Sequence, residues 1–128
     1  MMENRNLTVL LADRNPRIRD YILRELRSDG HHVLTAKNGD QLIRWLDSSI
    51  QLDVIILDPN MPGIDSKDQL ELLLSRKPNL LIVFHCLASD HAELSYKLKK
   101  QALVEKNGNS IDGLKQHLRL LLQRPVTP

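Results

Sequence analysis

The chain has 128 residues, of which 41% are hydrophobic and 27% charged, and its formal net charge is +2. That size and balance suit one domain with a sizeable core, and so small a charge gives no ground for a direct nucleic-acid partner. No apolar run approaches the roughly 20 residues a bilayer span requires. The polar start MMENRN has no signal-peptide core, and the lone cysteine, Cys86, excludes an internal disulfide framework. A cytoplasmic location without membrane attachment is the expectation that remains.

Along the chain, strand-like and helix-like patterns alternate. LTVLLA (7–12) predicts a buried strand. Asn15-Pro16 then supplies an N-cap followed by proline at the first helical position. Ile18, Ile22 and Leu26 recur at helical spacing, and Gly30 ends that helix. HVLTA (32–36) predicts a second, weaker strand, and Leu42, Ile43 and Leu46 a second helix. LDVIILD (52–58) predicts the third strand, and Leu70, Leu73 and Leu74 a helix that stops before Pro78. LLIVFHC (80–86) predicts the fourth strand, the polar stretch 89–100 a short helix, and ALVEK (102–106) the fifth strand. Ile111, Leu114, Leu118 and Leu121 mark the last helix.

Five strands alternating with five helices predict an α/β three-layer sandwich. Three of the strands are continuous apolar runs, as a parallel sheet covered on both faces requires. One domain is expected over 1–123, with RPVTP (124–128) as a tail or linker stub.

In an open parallel sheet, ligands sit beyond the carboxyl ends of the strands. Asp13 ends the first strand, Asp58 the third, His85 the fourth and Lys106 the fifth. These polar side chains should converge at one edge. Pro59, Pro62 and Gly63 are expected to carry the chain away and leave Asp58 exposed.

The strings VLLADRNPRIRDYI, LDVIILDPNMPGIDS and ALVEKN resemble the receiver domain of bacterial two-component response regulators, in the right order over essentially the whole chain. The resemblance implies a flavodoxin-like, doubly wound sheet of strand order 2-1-3-4-5. It also implies a role for each matching position. Asp58 would accept a phosphoryl group from the phosphohistidine of a sensor histidine kinase or phosphotransfer protein. Asp13 and Asp58, with the backbone carbonyl of Asn60, would hold Mg2+. Lys106 would contact the phosphoryl oxygens, and a downstream effector protein or domain would read the state. Phosphoryl transfer to a carboxylate brings two anions together, so such charges are what the chemistry needs.

Three positions depart from that pattern. Arg14 stands where a second acidic metal ligand is expected, so magnesium binding should be weak. His85 replaces a small hydroxyl residue that would touch the phosphoryl group, leaving either a donor to it when protonated or a hydrogen-bonded, partly buried histidine. Leu103 occupies the aromatic switch position and has no ring to reposition. Arg14 either lies inward as a fork across Asp13 and Asp58 or points to solvent. Two versions of the function follow: a receiver phosphorylated at Asp58, or a pseudo-receiver that binds partners independently of phosphorylation.

Other classes fit less well. A haloacid-dehalogenase-type phosphatase needs an acid two residues after its nucleophilic aspartate, where this chain has Asn60. A dinucleotide site would need a glycine-rich loop after the first strand, and none is present. The domain is therefore not expected to be an enzyme. Bland readings cover the rest: Cys86 and Trp45 as packing, His31 and His32 as turn residues, and Lys97, Lys99 and Lys100 as a solvated helix face.

Overall fold

A computed structural model describes residues 6–64, 67–87 and 102–123. Five parallel strands form one sheet: β1 (Thr8–Ala12), β2 (His32–Ala36), β3 (Val54–Leu57), β4 (Leu81–Cys86) and β5 (Ala102–Glu105). Their spatial order is β2-β1-β3-β4-β5, the flavodoxin-like arrangement. Four helices are described, α1 (Pro16–Ser28), α2 (Gly39–Asp47), α3 (Lys67–Ser75) and α4 (Ser110–Leu122). The helix expected over 89–100 and the tail 124–128 lie outside the described residues.

Side-chain alternation along each strand divides the core into two layers. Leu10, Ile55, Leu57, Ile82 and Phe84 pack with Leu42 and Leu46 of α2 and with Leu70 and Leu73 of α3. Val9, Leu11, Val54, Ile56 and Val83 pack with Ile22 and Leu26 of α1 and with Ile111, Leu114 and Leu118 of α4. Both faces are dry, which is why the strands read as unbroken apolar runs.

Local signals set the helix starts. The Asn15 side chain accepts the backbone N–H groups of Arg17 and Ile18, with Pro16 at the first helical position. Asn38 caps α2 through the Gln41 N–H, and the Gln41 side chain reaches back to the Lys37 N–H. Gly30, at φ 91°, takes the left-handed turn after α1.

The strand ends differ from the sequence expectation. The third strand is shorter than 52–58, because the Asp53 carboxylate caps the Thr8 N–H at 2.7 Å and Asp58 lies just past the Val54–Leu57 ladder. His85 does not end β4; it is paired with Val104 one residue inside it.

Candidate functional site

The site sits at the carboxyl edge of β1, β3, β4 and β5. Asp13 and Asp58 follow directly after β1 and β3 in adjacent strands, and ladder-like bonds hold both backbones: Asp13 N–H to the Ala36 carbonyl and Asp58 N–H to the Ala12 carbonyl. Lys106 follows β5 and donates its N–H to the Cys86 carbonyl at 2.7 Å. Its ammonium lies 3.1 Å from Asp13 Oδ2 and 3.5 Å from Asp58 Oδ2. One lysine thus bridges two carboxylates that sequence placed 45 residues apart.

Asp58 is not exposed, contrary to expectation. Asp13, Asp58 and His85 are each only 1% exposed. The Pro59–Gly63 turn does not lead the chain away. Met61 and Ile64 are apolar and buried, and they draw the turn back onto the sheet. The turn is held by Met61 N–H on the Asp58 carbonyl and by Gly39 N–H on the Pro62 carbonyl at 2.8 Å. Gly39 and Gly63 meet so closely there that a Cβ on Gly39 would stand 3.1 Å from the Gly63 backbone.

Each carboxylate oxygen faces a donor. Asp13 Oδ1 accepts the Asn15 N–H at 2.9 Å, and Asp13 Oδ2 faces the Lys106 ammonium. Asp58 Oδ1 accepts the Asn60 N–H at 3.0 Å. Asp58 Oδ2 faces Lys106 together with the backbone N–H and Nε of Arg14, both at 3.4 Å. Burial pushes the Asp13 pKa above its ordinary 3.8, and the nearby Asp58 charge adds to this against the Asn15 N–H and Lys106.

Arg14 lies inward over Asp58 but does not form the expected fork across both aspartates. Its Nη1 instead donates to the Asn60 carbonyl at 3.3 Å, while Lys106 takes Asp13. The Arg14 side chain is 48% exposed, while the Asp58 side chain that it contacts is 1% exposed. Sequence reasoning missed Arg19, one turn into α1, whose Nη1 holds the Asp13 carbonyl at 2.7 Å. Only its spacing from Asp13 hinted at this.

His85 shares the pocket. Its Nδ1 is 3.9 Å from Asp13 Oδ2, and neither ring nitrogen has a hydrogen-bond partner among the described residues. Burial, reinforced by the Lys106 charge, lowers its pKa to about 4, so the ring is neutral at pH 7. The hydrogen-bonded, partly buried reading of His85 is therefore not what the geometry presents. Leu103 pairs with Phe84 and packs, half-buried, against the α2–α3 side of the core.

The bland readings stand for Cys86, which is buried, and for Trp45, whose indole N–H bonds the Thr35 carbonyl at 2.9 Å. His31 accepts the Leu7 N–H through Nδ1, and His32 is exposed. Lys97, Lys99 and Lys100 lie outside the described residues.

The model of the response regulator receiver domain family matches residues 9–118. The chain belongs to that family. The receiver is 32% identical over 91 residues to the positive alginate biosynthesis regulatory protein of Pseudomonas aeruginosa, covering 69% of this chain and 36% of that protein. It is 28% identical over 116 residues to a protein-glutamate methylesterase/protein-glutamine glutaminase of Hahella chejuensis, covering 90% of this chain and 32% of that protein. The receiver therefore spans about a third of the length of these curated relatives. Among solved structures, the response regulator protein TrrA of Thermotoga maritima, in complex with Mg2+ and BeF, superposes with a TM-score of 0.74 at 27% identity. That superposition covers 90% of this chain and 98% of TrrA. The receiver works in two-component signalling. No helix among the described residues is long and apolar enough to cross a membrane.

Receivers of this family bind Mg2+, as the TrrA complex illustrates. The residues here fit that ion poorly. The Asn60 carbonyl and Asp58 Oδ2 both face Arg14, while Asp13 Oδ2, buried and without a hydrogen-bond partner among the described residues, faces the Lys106 ammonium at 3.1 Å. No group of three or more histidine, cysteine, aspartate or glutamate residues able to hold a metal occurs among the described residues.

Proposed function

We propose that Asp58 is the phosphoacceptor of this receiver. The phosphohistidine of a sensor kinase or phosphotransfer protein is the donor. A carboxylate oxygen of Asp58 bonds to phosphorus as the phosphorus–nitrogen bond breaks, and the imidazole leaves with the electron pair. The observation that supports this is the lysine bridge: Lys106 within 3.5 Å of both buried carboxylates, where negative charge would accumulate. Arg14 adds a second cation beside Asp58, and the unpartnered ring of neutral His85 offers an N–H toward a phosphoryl oxygen. The receiver unit runs over 1–123, with 124–128 as a tail. It acts in the cytoplasm through a downstream effector, with no direct nucleic-acid or membrane contact and no enzymatic activity of its own.

Leu103 brings no ring or polar tip to the switch position, so the output should not run through an aromatic relay. One observation favours a second reading, a pseudo-receiver that binds partners without phosphate: Asp58 Oδ2 already carries two cationic contacts in a closed pocket. Intact-mass spectrometry after incubation with acetyl phosphate separates the two. Gain of one phosphoryl group, absent in Asp58→Asn, supports the phosphoacceptor. No gain in the native chain leaves the pseudo-receiver.

A further inference from the structure

The guanidinium of Arg14 stands where a cation would bridge the Asp58 carboxylate and the Asn60 carbonyl. Its Nε is 3.4 Å from Asp58 Oδ2 and its Nη1 3.3 Å from Asn60 O, while its own backbone N–H points to the same Asp58 oxygen. Three donors of one residue thus converge on the two oxygens that a metal would take from the β3 end. The Lys106 ammonium lies 3.1 Å from Asp13 Oδ2 and 3.5 Å from that same Asp58 Oδ2.

Asp13 and Asp58 bring two carboxylates to the pocket, and Arg14 and Lys106 two cationic groups against them. A divalent ion would add two positive charges beside those cationic groups. It would also have to displace Arg14 from Asn60 O and the Lys106 ammonium from beside Asp13 Oδ2. Magnesium gives up water reluctantly and demands near-octahedral oxygen ligands, so it is poorly placed to do either. A guanidinium, by contrast, is a planar fork of donors that matches carboxylate and phosphoryl oxygens without ligand exchange. Arg14 is half-exposed while the carboxylate beneath it is closed off, so it can follow an arriving anion without unpacking the core.

We propose that Arg14 is a built-in cation: it fills the divalent-metal position and supplies its charge, so that the acidic pocket is complete without metal. Taken with the phosphoacceptor reading of Asp58, on which this part rests, modification of Asp58 does not require a divalent ion. With acetyl phosphate as donor, the Asp58 oxygen bonds to phosphorus and acetate departs with the electrons of the broken phosphorus–oxygen bond, so no proton need move.

Two measurements on the full chain test this. The first is magnesium chloride titrated by calorimetry or amide NMR into the native protein, Arg14→Asp and Arg14→Gln, each first checked for an unchanged thermal melt. We expect Arg14→Asp to bind magnesium at least about tenfold more tightly than the native chain, with Arg14→Gln between them. Equal affinities overturn the proposal. The second is phosphoryl incorporation from acetyl phosphate in EDTA and in magnesium. Equal labelling of the native chain under both conditions, with Arg14→Asp labelled only in magnesium, supports it. Labelling of the native chain that disappears in EDTA overturns it and leaves Asp58 as the acceptor. Absence of label under both conditions overturns the phosphoacceptor reading instead, and the magnesium titration still decides the role of Arg14.

Discussion

Replacing Lys106 with methionine should destabilise the receiver in a strongly pH-dependent way. Methionine keeps most of the aliphatic stem and removes the ammonium. At an effective dielectric of 20, a unit charge 3.1 or 3.5 Å away is worth about 5 kcal/mol to each carboxylate. Asp58 keeps Arg14, so the loss falls on Asp13, which is left buried with only the Asn15 N–H. A cheaper route then opens, because Asp13 can take up a proton. Starting from its ordinary value of 3.8, neutralising it at pH 7 costs at most about 4.4 kcal/mol, at about 1.36 kcal/mol per pH unit. That cost is below the lost attraction, so protonation sets the ceiling.

The sign follows from linkage. A carboxyl whose folded pKa is raised makes the folded state bind more protons than the unfolded one. Stability is therefore lost as pH rises through that window and regained as pH falls toward 3.8. We expect Lys106→Met to cost up to about 4 kcal/mol at pH 7, less the part that burial already costs Asp13 in the native chain, and at pH 5 no more than about 1.6 kcal/mol. His85, relieved of the Lys106 charge and 3.9 Å from Asp13, would take a proton in the same direction. A domain of this size holds roughly 5–15 kcal/mol, so the variant should still fold. Urea unfolding of both proteins at pH 5, 6 and 7 measures the difference, and Asp13→Asn in the Lys106→Met background should restore most of it. A loss equal at pH 5 and pH 7, or below about 1 kcal/mol at pH 7, would refute the reasoning.

The remaining predictions concern the histidine and the turn. Because the folded pKa of His85 is about 4 against 6.5 when unfolded, the native chain loses stability as pH falls from about 6.5 to 4. Denaturation at pH 7 and pH 4.5 should show His85→Thr losing about 2–3 kcal/mol less than the native chain across that interval. Gly39→Ala should cost about 1–3 kcal/mol and shift the amides of the turn after Asp58, because its Cβ would press on Gly63 at 3.1 Å. Gly108→Ala, whose Cβ meets nothing within 4 Å, is the matched control and should stay within about 0.5 kcal/mol in the same melt.

Much of this receiver is set by local chemistry. Asn15-Pro16 starts α1 because capping and a fixed φ act within a few residues, and Gly30 stops it for the same reason. The apolar runs at 54–57 and 81–86 become parallel strands because only a sheet covered on both faces buries every residue of such a run. From that sheet, the meeting of Asp13, Asp58 and Lys106 at one edge also follows, since strand ends of a parallel sheet share an edge. The sequence could not say which way the long or flexible parts turn. Pro59–Gly63 read as a turn leading outward, yet burial of Met61 and Ile64 folds it back and closes Asp58 from solvent. Arg14 had two directions open to it. Its choice of Asp58 and the Asn60 carbonyl rests on Lys106 arriving from the far end of the chain to hold Asp13. Capping and strand burial are decided among neighbours in sequence; a side chain that answers to charges on other strands is decided only when the sheet brings them together.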